Sequence, residues 1–158
     1  MAKKKTSNWP KVVGAILFCE FVGIAGSFFT FSSIPTWYAS LNKPSFSPPN
    51  WIFGPIWTIL YALMGISLYI LWSNKRATKL VKLFYFQLLL NGIWTPIFFG
   101  AHNISVALVD IIVLCILILI LILKTWGIDK RVSLLLTPYL AWVSFATLLN
   151  FFIWKLNM

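Results

Sequence analysis

Aromatic rings and amides recur at helical spacing in three apolar stretches of this 158-residue chain. Trp57, Tyr61, Met64 and Leu68 follow i, i+4, i+7, i+11; Gln87, Asn91 and Trp94 follow i, i+4, i+7; Trp142, Ala146, Leu149 and Asn150 form a similar stripe. On α-helices each set occupies one face. Large rings beside a small alanine build a flat slot between helices, and the amides of Asn91 and Gln87 give a guest oriented polar contacts. The same pattern serves plain interhelical packing, with Ala146 permitting close approach and the amides bonding across helices. Residue type and spacing leave both readings open.

Hydrolytic and metal chemistry are poorly supplied. His102 is the sole histidine, so neither a Ser-His-Asp triad nor a multi-histidine cage can be assembled. No glycine-rich phosphate loop occurs. His102 falls in a short connection, where a solvated side chain is expected and an axial haem ligand is the alternative. Cys19 and Cys115 lie inside apolar runs and read as small buried hydrophobes, not as a disulfide or zinc site. Glu20 and Asp110 also fall within apolar stretches, where a carboxylate is costly unless paired or protonated. A structural role is expected for each: Glu20 protonated or hydrogen-bonded inside the bundle, Asp110 bonded to a neighbouring helix near the external end.

The elements that carry these residues follow from composition. The chain is 60% hydrophobic, 18% aromatic and only 10% charged, far from the balance of a soluble domain. Apolar stretches cover about 9–31, 51–72, 80–99, 105–123 and 132–154, each long enough to cross a bilayer as a helix. The expected fold is an all-α integral membrane protein: a single domain over 1–158, one bundle of five transmembrane helices with a long Pro-rich loop between the first and second. Too little chain is left over for a soluble catalytic domain.

The net charge of +10 points to membrane flanks and not to nucleic acid. Lys3, Lys4, Lys5 and Lys11, then Lys75, Arg76, Lys79 and Lys82, then Lys124, Lys130 and Arg131 fall on one side of a five-helix arrangement; Lys43 and Lys155 fall on the other. Basic residues collect in the cytoplasm, so the N-terminus is expected inside and the C-terminus outside. The first stretch reads as a retained helix, not a cleaved signal, and the plasma membrane of a bacterium is the expected location. Pro35, Pro44, Pro48 and Pro49 in the first connection, 32–50, exclude a continuous helix and favour an extended path. With Trp37, Tyr38 and Phe46 it forms either a lid over the external bundle face or an interfacial aromatic belt. No internal repeat is visible, unlike many secondary carriers.

The stretch WYASLNKPSFSPPNW at 37–51, followed by GPIWTILYALMG at 54–65, resembles the signature of the TspO family of tryptophan-rich sensory and translocator proteins, also called peripheral benzodiazepine receptors. So do LNGIWTPIFFG at 90–100, ALVD at 107–110 and PYLAWVSFATLLN at 138–150. The resemblance implies a five-helix bundle in membrane lipid, usually a homodimer, with a ligand pocket beneath the first loop. Its ligands would be tetrapyrroles such as protoporphyrin IX and haem, sterols, and synthetic benzodiazepine-type and isoquinoline compounds, with no obligatory cofactor or metal. Carried over position by position, the pocket would be lined by Tyr38, Pro48, Trp51, Ile52, Trp57, Tyr61, Asn91, Trp94, Trp142, Ala146 and Leu149.

Trp57 and Trp142 match the two tryptophans implicated in light-dependent porphyrin breakdown by some bacterial members, which would make them the catalytic pair of an enzyme. The implied functions are thus a tetrapyrrole receptor or sensor that aids ligand transport, or a light-dependent porphyrin-degrading enzyme; a structural or regulatory membrane subunit is the further alternative, with Gly23 and Ser27 of the first helix spaced as in close-packed helix pairs. Phe46 and Gly92 stand where family members often carry tryptophan, which predicts a thinner aromatic lining. The family's C-terminal sterol pattern needs a basic residue shortly after Tyr139; none occurs before Lys155, so sterol binding is not inferred.

Overall fold

A computed structural model describes residues 8–158; Lys3, Lys4 and Lys5 lie outside the described residues. Helix α1 spans Trp9–Ser33, α2 Phe53–Ser73, α3 Thr78–Thr95, α4 Ile104–Trp126 and α5 Lys130–Leu156. Each is long and apolar enough to cross a membrane. Asn103 and Asp129 start α4 and α5 by accepting the backbone N–H of Val106 at 3.0 Å and of Arg131 at 3.1 Å, the side-chain capping that satisfies orphan donors of a first turn. The Arg131 guanidinium also bonds Asp129 and holds its carboxyl below the usual range.

The helices close into a ring. α1 packs on α2, α2 on α5, α5 on α4, α4 on α3 and α3 on α1, while α2 also touches α3. Tyr61, Met64 and Leu68 from the α2 stripe are buried, with Phe84 and Leu88 of α3, Leu114 and Ile118 of α4, and Tyr139 and Val143 of α5. Phe21, Phe28 and Phe31 of α1, Val109 and Ile116 of α4, and Leu134 and Leu148 of α5 are exposed. In a chain of this composition that apolar outer surface is the lipid face.

Gly65 marks the tightest approach. A Cβ there would meet the backbone of Ala15 and Ile16 on α1, so only the missing side chain lets α1 and α2 meet. Backbone cannot yield as a flexible side chain can, and overpacking of this kind costs about 1–3 kcal/mol. Gly65→Ala is expected to lower stability by about 2 kcal/mol, checked by thermal unfolding in detergent. Cys19 is buried and Cys115 half-buried; neither is in a disulfide, and Cys115 lies 3.4 Å from the Ser144 hydroxyl.

The first connection corrects the sequence reading. α1 does not stop near residue 31: it runs on through a widened π turn, Ile34–Tyr38, that contains Pro35, and helical backbone persists to residue 40. Pro35 has no N–H to give to a preceding carbonyl, and a wider turn accommodates this without ending the helix. α3 passes Pro96 in the same way, through a π turn over Pro96–Gly100 in which the Ala101 N–H reaches the Pro96 carbonyl at 2.8 Å. Ser33 joins the two widened turns by donating its hydroxyl to the Phe99 carbonyl at 2.7 Å. Only residues 41–49 remain non-helical before a 3-10 turn, Asn50–Ile52, leads into α2.

That shorter segment folds back over the bundle end. The Asn42 N–H donates to Asn157 Oδ1 and the Asn157 amide donates to the Asn42 carbonyl, both at 2.9 Å. Phe46 packs edge-on against Phe152 at 5.4 Å and against Phe145 at 6.3 Å. The connection is therefore held against the C-terminal half of α5 and is not merely an interfacial belt.

Candidate functional site

Between the helices lies a cavity of about 300 Å³, at the lower end of the range for small-molecule sites. Tyr38, Trp57, Tyr61, Asn91, Trp94, Trp142, Ala146 and Leu149 all stand on its wall. The helical periodicity of α2, α3 and α5 places most of them there, and Tyr38 arrives on the helical extension of α1.

Pro48, Trp51 and Ile52 do not line the cavity. Trp51 is 71% exposed. The 3-10 turn that carries it directs the next residues into α2, so the inward position at that end belongs to Phe53, whose ring meets Trp142 edge-on at 5.9 Å. Phe46 and Gly92 are not on the wall either; Gly92 faces Val22 of α1, which a Cβ would meet at 3.0 Å. The aromatic lining is therefore not thinned at those two positions.

Wall residues that the sequence reading did not place in a pocket include Glu20, Phe53, Phe98 and Phe99. Phe98 follows Trp94 by four residues and stacks on it at 4.9 Å and 16°, so the α3 stripe extended by one turn would have found it. Phe99 is inward only because of the π turn, which no spacing rule anticipates. Trp57 tilts against Tyr61 at 5.5 Å and meets Tyr139 edge-on at 6.3 Å.

The amides mostly serve the bundle. Tyr61 donates its hydroxyl to Asn91 Oδ1 at 2.5 Å, Asn91 donates to the Tyr139 hydroxyl at 2.9 Å, and Tyr139 donates to Gln87 Oε1 at 2.9 Å. A single directed chain thus links α2, α3 and α5 beneath the cavity. Trp94 Nε1 donates to Asn150 Oδ1 at 3.2 Å, and the Asn150 amide reaches the Ile104 carbonyl at 3.2 Å. Packing and pocket are both present: the amides fix the rings, and the rings wall the space. Trp142 differs, because its indole N–H is buried with no hydrogen-bond partner among the described residues.

The other candidates fall elsewhere. Asp110 makes no bond to a neighbouring helix among the described residues, and its Oδ2 is buried without a partner. His102 is exposed with a positive φ of 54° and stacks flat on Trp37 at 4.3 Å. Lys43, at the loop end of the bundle, donates to the carbonyls of Tyr38 at 2.8 Å, Leu41 at 3.1 Å and Ala39 at 3.4 Å. Its three donors are committed to the end of α1's extension.

The family model described as TspO/MBR family matches residues 15–155 of this chain. The chain belongs to the TspO/MBR family. Among similar proteins of that family, the tryptophan-rich protein TspO of Archaeoglobus fulgidus is 49% identical, over 95% of this chain and 99% of the relative. The human translocator protein is 36% identical, over 94% of this chain and 91% of its own. The tryptophan-rich sensory protein of Cereibacter sphaeroides is 32% identical, over 89% and 91%. Membership agrees with the five-helix membrane bundle. The TspO/MBR stretch begins in α1 at the level of Ala15, which contacts Gly65, and ends at the last turn of α5.

Proposed function

We propose that the cavity binds tetrapyrroles such as protoporphyrin IX or haem, and related flat apolar molecules, and that the protein acts as a receptor whose occupancy is sensed or passed across the membrane. The observation that carries this reading is the convergence of Trp57, Trp94 and Trp142, from three different helices, on the wall of one cavity. Indole faces stabilise a planar macrocycle by stacking, at about 0.5–1.5 kcal/mol per ring beyond area burial. The unpartnered Trp142 N–H is available to an acceptor on a guest. Because Lys43 is committed to backbone carbonyls, porphyrin propionates would reach water at the outer end without that lysine. The placement proposed is the plasma membrane, with the N-terminus cytoplasmic, as the distribution of lysine and arginine favours.

The test is titration of the full chain, in non-ionic detergent, with protoporphyrin IX, followed by the porphyrin's own absorbance. Trp57→Ala and Trp142→Ala are each expected to weaken binding about tenfold, or about 1.4 kcal/mol. Unchanged affinity in both variants would rule out a guest seated between the indoles.

A further inference from the structure

We propose that Glu20 makes the deep end of the cavity a recognition site for a protonated nitrogen, so that its preferred guests are flat aromatic cations entering nitrogen first. This rests on the cavity reading above and adds to the tetrapyrroles a second ligand class for the same cavity. α1 lines the cavity along a stripe from Glu20 through Gly23, Ser27 and Thr30 to Tyr38. At 1.5 Å per residue, Glu20 lies roughly 27 Å along the helix from Tyr38, at the end away from the loop. The deepest wall residues of α2, α3 and α5 are Tyr61, Asn91 and Trp142, so Glu20 shares its level with the hydrogen-bonded floor.

That floor is rich in acceptors. The Tyr61 hydroxyl has given its proton to Asn91, and the Asn91 amide is occupied by Tyr139, so the phenol oxygen is left as an acceptor, and Tyr61 and Glu20 both line the cavity. Among the described residues Glu20 is the only carboxylate on the wall, and no lysine or arginine stands there. It makes no hydrogen bond among the described residues, whose one ion pair joins Arg131 to Asp129. A carboxylate at membrane depth is costly until something compensates it. A guest ammonium or protonated ring nitrogen supplies both the charge and the donors, and the indoles of Trp57 and Trp142 add cation–π attraction to the same guest.

The experiment compares two probes of one ring shape, 9-aminoacridine, which is a cation at neutral pH, and anthracene, which is neutral. Dissociation constants are measured on the full chain in non-ionic detergent micelles, with micelle-only blanks. The wild type is expected to prefer the cation about tenfold; in Glu20→Gln the ratio is expected to fall to about one, and in Glu20→Asp to be largely retained. Because the result is a ratio, the neutral probe reports cavity integrity in each variant, and Glu20→Met serves as a second uncharged variant. No preference in the wild type, or a preference that survives loss of the carboxylate, overturns the inference while leaving the cavity reading intact. Failure of the wild type to bind anthracene and protoporphyrin IX alike overturns the cavity reading, and the inference with it.

Discussion

Ala146→Phe is expected to abolish protoporphyrin IX binding, with at least a hundredfold loss, while leaving the melting temperature unchanged or raised. Ala146 is the small member of the α5 stripe and stands on the cavity wall with Trp142 and Leu149. A benzyl group projecting into about 300 Å³ takes the volume a macrocycle needs, and a hundredfold loss corresponds to about 2.7 kcal/mol. An added ring in a filled core strains the fold and lowers stability, whereas one in an empty apolar space gains contacts. Binding titration and thermal unfolding of the same preparation therefore separate a cavity from ordinary packing. Retained binding, or a lowered melting temperature with binding intact, would mean that Ala146 faces a neighbouring helix.

Asn91→Leu is expected to destabilise the bundle by about 3 kcal/mol, measured by denaturant titration in mixed micelles. Interhelical hydrogen bonds in membrane bundles average only about 0.6 kcal/mol, and a single lost bond would cost little. Asn91 is different because it serves two partners on two helices: it accepts from Tyr61 and donates to Tyr139. Tyr61 and Tyr139 are both buried, and leaving a buried polar group without its partner costs about 1–3 kcal/mol. Tyr61→Phe removes one end of the chain and strands only the Asn91 oxygen, so it should cost less than half as much. Equal effects of the two variants would show that the chain does not join the helices through Asn91.

The five spans were legible because an unbroken apolar run of bilayer length has few alternatives. Helix α4 is the clearest, its 111–123 core being apolar apart from Cys115. Ring and amide faces were legible too, since Trp57 with Tyr61 and Asn91 with Trp94 obey the 3.6-residue period. Whether those faces pack or enclose a space was not, because that depends on how far apart the helices stand, which a one-dimensional pattern does not encode. Gly65, pressed on the backbone of Ala15 and Ile16, brings α1 and α2 together away from the loop end, while Gly23 accommodates the Tyr61 ring beside the cavity.

Proline misled the reading of the end of α1. Pro35 reads as a helix stop, yet α1 passes it by widening one turn, held in place by the tertiary bond from Ser33 to Phe99. That one change brings Tyr38 inward on a helix and shortens the loop that follows. Pro48, Trp51 and Ile52 consequently sit outside the wall, and Phe53 takes the inward place. Glu20, read as structural, stands on the wall without a protein partner among the described residues; its depth in the sequence was visible, but its rotation about α1 was not.

The most direct measurement is an experimental structure of the full chain with protoporphyrin IX bound. Density for the macrocycle in contact with Trp57 and Trp142, and within reach of Ala146, is the expected result. A porphyrin found only on the lipid face of α1 or α4, with the space between the indoles closed by the protein's own side chains, would contradict the account.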